Sequence, residues 1–362
     1  MKKVIALLLS LVMAVGMIGC GSKEETADGA QTAEPAEEAE AETPAEEATD
    51  FNPADHTLVF STVLMNHPVL RCVQLGFVEA CEELGYNYQI VGTESSDENE
   101  TVAAAEAAAA AGASGVVLWA QTETMLPCIE TMKNDYGVYT CVPHFQWEEG
   151  KAPGLDVNLA CVCTDYAEAV ADYMAEKLEG KTGSIALTQA GYTTNEDAAS
   201  AAFTARIKEL QAEGKLEGIT VLDPMVEGAT DVTESTDVNA SIIQANSDLV
   251  GAVSWTGSGP VTWANAARKC GLEAGDLVIV SMDYTADNLA ELESGYVTAL
   301  VAQPLYEEAY QAVYSFDALL RGESVPYWTA LEAPLMYEGG EGVNSPEYYQ
   351  NILDRVSSTF GG

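Results

Sequence analysis

The chain has 362 residues, enough for two lobes of ordinary domain size. It carries 57 Asp and Glu against 15 Lys and Arg, which gives a formal net charge of −42. Because nucleic-acid binding depends on basic residues that neutralise phosphates, this balance excludes a nucleic-acid-binding protein.

The first 20 residues predict an export signal. They begin with the basic "MKK", continue with the short apolar run "VIALLLSLVMAV", and close on "MIGC", a tetrad that resembles a bacterial lipobox. The apolar run is too short for a membrane-spanning helix. We therefore expect lipid on Cys20, removal of residues 1–19, and a protein anchored at the extracytoplasmic face of the cell membrane.

Residues 21–55 predict a disordered acidic tether. Of residues 21–50, eleven are acidic, one is Lys and none is aromatic. Such a segment cannot bury enough apolar surface to offset the loss of chain entropy on folding. The folded part of the chain is therefore expected to begin at residue 56.

From residue 56 onward, short apolar β-branched runs alternate with helical patterns. The predicted strands are 57–64, 87–93, 115–120, 137–143, 159–164, 183–189, 218–224, 249–255, 277–282 and 297–303. Runs that are apolar throughout indicate strands buried on both faces, and strand–helix alternation indicates parallel sheets. Two series of five strands favour an α/β fold with two doubly wound parallel-sheet lobes over its main alternative, a TIM barrel.

Ligands of open parallel sheets bind beyond the carboxyl ends of the strands, so the residues there are the candidate binding residues. The candidates are Asn66, His67, Trp119, His144, Phe145, Asp165, Tyr166, Tyr192, Trp255, Thr256, Asp283 and Gln303. These strand ends contain no Lys or Arg, which a buried phosphate or carboxylate normally requires. The pattern predicts a neutral or cationic ligand. Asp283 is either a ligand acceptor or the N-cap of the next helix, and the ligand role is favoured because Thr285 is the better cap.

Catalytic and metal-binding motifs are missing from the sequence. It contains no GxGxxG, GxxxxGK[ST] or GxSxG motif, and its three histidines show no metal-ligand spacing. We predict that the protein is not an enzyme and uses neither a cofactor nor a metal.

The order of several short motifs resembles the type I periplasmic binding proteins, the sugar-binding receptors of ABC importers. The motifs are "NHP" before the first helix, "GFVEACEELGY", "CTDYAEAVADYMAEKL", "SMDYT" and "VAQPLYEEAYQAV". The resemblance implies two lobes joined by three hinge crossings, with the ligand in the cleft between them and hinge closure around it. It places lobe 1 at 56–164 plus 304–325 and lobe 2 at 165–303 plus 326–356.

The resemblance also assigns residues and partners. Asp283 matches the family aspartate that binds ligand hydroxyls, Gln303 matches the cleft glutamine at the hinge, and Thr164 with Asp165 matches a Ser-Asp pair. Val69 and Leu70 stand where the family has aromatic rings that stack on sugars. The expected ligand is a neutral sugar, with a nucleoside-like or cationic compound as the alternative. The expected partners are ABC permease subunits, or a membrane kinase if the protein is a sensory receptor.

Overall fold

The structure, a computed structural model, describes residues 51–191, 194–228 and 231–361. The strands are β1 (Thr57–Thr62), β2 (Asn87–Gly92), β3 (Gly115–Leu118), β4 (Tyr139–Pro143), β5 (Val157–Cys161), β6 (Gly183–Gln189), β7 (Ile219–Val221), β8 (Met225–Val226), β9 (Leu249–Ser254), β10 (Val278–Met282), β11 (Ala299–Val301), β12 (Trp328–Leu331) and β13 (Leu335–Met336). The helices are α1 (Pro68–Leu84), α2 (Glu98–Ala110), α3 (Pro127–Tyr136), α4 (Cys163–Lys177), α5 (Thr194–Ala212), α6 (Val232–Ala245), α7 (Gly259–Lys269), α8 (Ala286–Glu293), α9 (Leu305–Leu320) and α10 (Pro346–Phe360).

The strands form two sheets of similar topology. The first has the order β12-β5-β4-β3-β1-β2, and all its pairings are parallel. The second has the order β13-β11-β10-β9-β6-β7, with β8 beside β6, and only the short β13 runs antiparallel. Both sheets thus follow the order of a doubly wound fold, and the predicted α/β class with two parallel-sheet lobes is confirmed.

The third predicted hinge crossing is wrong. The boundary at 325/326 would place the following residues in lobe 2, but β12 pairs with β5 in the first sheet, with Trp328 beside Asn158. The chain instead crosses to the second sheet between β12 and β13. Residues of β12 are half-buried or exposed, so this edge strand lacks the apolar run that revealed the other strands.

Helix α1 shows how the sequence builds the lobe that contains the first sheet. Pro68 occupies the first turn, and Gly85 ends the helix in the left-handed conformation with φ of 83°. At Gly76 the backbone of α9 approaches so closely that an added Cβ would lie 2.0 Å from the carbonyl oxygen of Tyr306. Glycine therefore allows α9, which follows β11 of the second sheet in sequence, to pack against the first lobe.

The folded part of the chain begins before the predicted end of the tether. Pro53–Asp55 form a 3-10 turn, and the ring of Phe51 stacks on His56 at 5.2 Å. Residues 51–55 therefore belong to the fold, a correction of the boundary at residue 55. The predicted export signal, with Cys20, and the candidate Tyr192 lie outside the described residues. None of the helices in the described ranges has the length and apolar character needed to span a membrane.

Candidate functional site

A cavity of about 140 Å³ lies at the carboxyl ends of strands from both sheets. Six of the predicted residues line it: His144, Phe145, Tyr166, Trp255, Asp283 and Gln303. His144 follows β4 of the first sheet, and Asp283 follows β10 of the second. The cavity is therefore an inter-lobe site, placed where the topology of the two sheets predicts a ligand.

Asp283 lies beyond the end of β10 in a strained backbone conformation, with φ of 65°. Its side chain is 7% exposed, and Oδ1 has no hydrogen-bond partner among the described residues. Burial raises the pKa of this carboxyl to about 6; His144 opposes the rise and the charge of Glu308 adds to it. A buried acceptor without a donor is costly, so Asp283 is arranged to receive a donor from outside the chain.

The opposite wall of the cavity is built around His144, which has a φ of 79°. Its Nδ1 lies 3.3 Å from Oε1 of Glu308, a fully buried carboxylate on α9. Burial alone would lower the pKa of His144, but Glu308, through its charge and its hydrogen bond, and then Asp283 outweigh burial, and the pKa is raised. The second oxygen of Glu308, Oε2, has no hydrogen-bond partner in the described part of the chain.

Aromatic rings form the apolar part of the site. Trp119 stacks on the imidazole of His144 at 4.5 Å, and Phe145 meets the same ring edge-on at 4.7 Å. On the other side Trp255 packs against Tyr166 at 5.7 Å, and its Nε1 donor is buried without an acceptor among the described residues. Unpaired acceptors and an unpaired donor beside aromatic faces suit a small molecule that carries hydroxyl groups.

Gly257 lines the cavity because it has no side chain. An added Cβ would lie 2.6 Å from the carboxylate oxygen Oδ2 of Asp283, closer than real Cβ contacts. We expect Gly257→Ala to push the carboxylate out of place and to weaken ligand binding about tenfold, equivalent to about 1.4 kcal/mol. Calorimetric titration of a bound ligand would measure the loss.

Gly150 supplies the matched control for that substitution. A Cβ at Gly150 would meet no atom within 4 Å, so Gly150→Ala should leave affinity and unfolding temperature unchanged. Equal affinities of Gly257→Ala and the wild-type protein would show that the carboxylate does not depend on this close approach.

Five other predicted residues do not line the cavity. The loop after β1 hydrogen-bonds to the loop after β2, through Leu64 to Ser95 and Met65 to Thr93, and this draws the next residues away from the cavity. Asn66 is exposed and bonds to Glu94 and Arg71. His67 is exposed at the start of α1, and Trp119 lies behind His144. Asp165 faces a second cavity beside β12, and the hydroxyl of Thr256 bonds to Glu227.

Sequence reasoning missed several residues of the site. The other residues that line the cavity are Cys161, Cys163, Asn195, Glu196, Gly257 and Met282. The most consequential omission is Glu308, because it is the main group that raises the pKa of His144. The signal for Glu308 was a glutamate on the apolar face of a helix, where Leu305, Ala309 and Ala312 are buried. A charged residue on such a face needs a partner or a function.

Larger cavities exist elsewhere in the described structure. One of about 590 Å³ lies between α4 and α5 and is lined by charged surface residues such as Arg206, which pairs with Asp172 at 2.9 Å. None of its lining residues carries a buried polar atom without a partner in the described structure. Within the described residues no group of three or more His, Cys, Asp or Glu could hold a metal ion.

Comparison with known proteins identifies relatives. The model of the periplasmic binding protein domain family matches residues 58–324. The sugar-binding protein of a sugar ABC transporter from Bacillus halodurans has a TM-score of 0.71 and 20% identity, over 81% of this chain and 100% of that one. The arabinose-binding protein AraP from Geobacillus stearothermophilus has a TM-score of 0.70 and 17% identity, over 82% and 99%. GanP, a glucose-galactose-binding protein from the same organism, has a TM-score of 0.66 and 17% identity, over 78% and 97%. At these identities the likeness establishes a common fold.

Proposed function

The chain belongs to the periplasmic binding protein domain family, and from this membership we propose that it is an extracytoplasmic solute-binding receptor of an ABC importer. It takes a neutral, sugar-like ligand into the inter-lobe cavity and closes around it by rotation at the hinge. It acts by binding, without chemical conversion of the ligand. Its partners are the permease subunits, and lipid on Cys20 holds it at the membrane.

One observation carries the proposal. The carboxylate of Asp283 and the indole of Trp255 present an unpaired acceptor and an unpaired donor within the same cavity. A sugar hydroxyl can donate to the first and accept from the second, while its apolar face covers an aromatic ring. Among the described residues that line this cavity there is no Lys or Arg, which disfavours phosphorylated and carboxylated ligands. Proteins with the same fold include receptors for arabinose and for glucose and galactose.

A thermal-shift screen tests this function. Arabinose, glucose and galactose would be compared with their phosphates, at millimolar concentrations and neutral pH. A ligand at 100 times its Kd adds about 2.7 kcal/mol to the stability of the folded form, which should raise the unfolding temperature by about 5 °C. We expect at least one neutral monosaccharide to produce such a rise. A rise with the sugar phosphates alone would contradict the proposal.

A further inference from the structure

Glu227, which follows β8, is a buried carboxylate outside the cavity. It is 2% exposed, and no Lys, Arg or His of the described chain pairs with it. Burying an ionised group without a counter-charge costs several kcal/mol unless hydrogen bonds compensate for the lost water. The sequence around it, "PMVEGAT", shows no motif that would explain such a residue.

Five side-chain donors converge on Glu227. Oε1 accepts from the hydroxyls of Thr188 at 3.2 Å, Thr256 at 3.1 Å and Ser254, and Oε2 accepts from Thr262 at 3.2 Å and from the amide of Asn239. These donors come from β6, β9, α6, α7 and the residue pair after β9. One carboxylate thereby joins most of the elements beneath the second-lobe wall of the cavity.

The donor role of one hydroxyl in this network follows from the hydrogen bond that it accepts. The indole Nε1 of Trp263 donates to Oγ1 of Thr188 at 2.9 Å, so the Thr188 hydroxyl is free to donate its own hydrogen to Glu227. Every donor around Glu227 is neutral. The network is thus an acceptor-centred cluster, in which removing the acceptor leaves buried hydroxyls without a common partner.

The network ends at the loop that forms part of the cavity wall. Thr256, bonded to Glu227, lies between Trp255 and Gly257, both of which line the cavity. The same loop is held from its other side, where Ser281 donates to the carbonyl of Thr256 at 3.3 Å and Asn288 donates to that of Gly257 at 2.9 Å. A displacement of Thr256 would therefore move the indole of Trp255 and change the gap between Gly257 and Asp283.

We propose that Glu227 is a positioning residue of the ligand site: through Thr256 it sets the loop 255–258 so that Trp255 and Asp283 face the cavity together. This inference rests on the proposed binding function for its effect on affinity. It also has a consequence in the ligand-free protein, because the loop should be less well held when Glu227 is replaced.

The first test uses hydrogen exchange and needs no ligand. In Glu227→Gln one oxygen becomes an amide donor facing other donors, so the loop loses its acceptor. We expect faster exchange at the amides of 255–259, including Trp255, which donates to the carbonyl of Thr188 at 2.9 Å. Ser184→Ala removes a buried hydroxyl at the far end of β6 and serves as the control, with unchanged exchange in the loop. Wild-type exchange rates in the loop of Glu227→Gln would overturn the proposal.

The second test uses affinity for the sugar that the thermal-shift screen identifies. Glu227→Gln should weaken binding about tenfold, and Thr256→Val, which keeps the shape but removes the bond, should weaken it similarly. Because both act through one contact, the double variant should bind no more weakly than the Glu227→Gln single. Independent losses that multiply, or full affinity in both singles, would overturn the proposal. If the wild-type protein binds no sugar, the proposed function fails while the exchange experiment still decides the role of Glu227.

Discussion

Replacing Asp283 with asparagine is expected to weaken sugar binding by roughly 100-fold or more and to raise the unfolding temperature of the ligand-free protein. The carboxylate is 7% exposed and its Oδ1 has no partner in the described structure. Hydrogen bonds to a charged acceptor contribute about 1.5–3 kcal/mol each, so the loss of two sugar hydroxyl contacts would weaken affinity by roughly 100-fold or more. Asparagine is the suitable replacement because, like aspartate, it tolerates the left-handed backbone at φ of 65°.

The gain in stability follows from the pKa of Asp283. Burial raises this pKa from 3.8 to about 6, so the folded protein holds the proton more tightly than the unfolded chain does. The contribution of Asp283 to stability is therefore present below pH 3.8, is lost as the pH rises through about 6, and stays absent at neutral pH. Asparagine cannot ionise, so the variant should unfold at a higher temperature than the wild-type protein at pH 7.5 but not at pH 3.5.

Calorimetric titration and scanning calorimetry at the two pH values would measure both effects. Asp165→Asn is the matched control: this carboxylate is exposed, does not line the cavity, and should change neither affinity nor stability. Unchanged affinity in Asp283→Asn would remove the residue from the site and leave it as the residue that precedes α8. Lower stability at pH 7.5 would show that the carboxylate is satisfied by the protein itself.

The sequence predicted most of the fold because its strands are chemically conspicuous. Each of the ten predicted runs overlaps a strand of the structure, although β5 begins two residues before its run. Most of these strands are buried, and strands buried on both faces must be apolar throughout. The three strands that were not predicted are β8, β12 and β13, which are short and incompletely buried. Their pairing depends on neighbouring strands that are distant in sequence, and no local pattern encodes such a pairing.

The site was predictable to the extent that it follows from the ends of strands. His144, Trp255 and Asp283 were found because parallel topology places strand ends at one edge. Asn66 failed because hydrogen bonds between two loops displace it, a tertiary effect without a local sequence signal. Glu308 was not predicted because it lies on helix α9 and not at the end of a strand.

Replacing Glu308 with glutamine is expected to lower the pKa of His144 from above 6.5 to below it. Burial by itself lowers the pKa of this imidazole, and Glu308 is the main group that reverses the effect. Its Oε1 lies 3.3 Å from Nδ1 of His144. Glutamine keeps the size and one acceptor oxygen but removes the charge, so the desolvation of the imidazolium is no longer compensated. The weaker field of Asp283 remains, yet Asp283 itself titrates at about 6.

The chain has three histidines, so the titration of His144 can be followed by NMR as one of three imidazole signals. Glu307→Gln is the matched control, because this neighbouring glutamate on α9 bonds to Tyr348 at 3.0 Å and not to His144. Its replacement should leave the His144 pKa above 6.5. If the pKa of His144 also stayed above 6.5 in Glu308→Gln, Asp283 would be the dominant partner of the imidazolium. The main charge pair of the cavity would then join the two lobes.

The same substitution also changes how the stability of the protein depends on pH. In the wild-type protein the raised pKa of His144 contributes stability that is present below pH 6.5 and lost as the pH rises through the folded value. In the variant, the lowered pKa reverses the sign: stability increases with pH up to 6.5. Burial also raises the pKa of Glu308, a cost of ionisation that the variant lacks at high pH. The free energy of unfolding of the variant, measured by chemical denaturation, should therefore rise relative to that of the wild-type protein between pH 5.5 and 8.5. A constant difference across that range would show that His144 and Glu308 do not titrate as a pair.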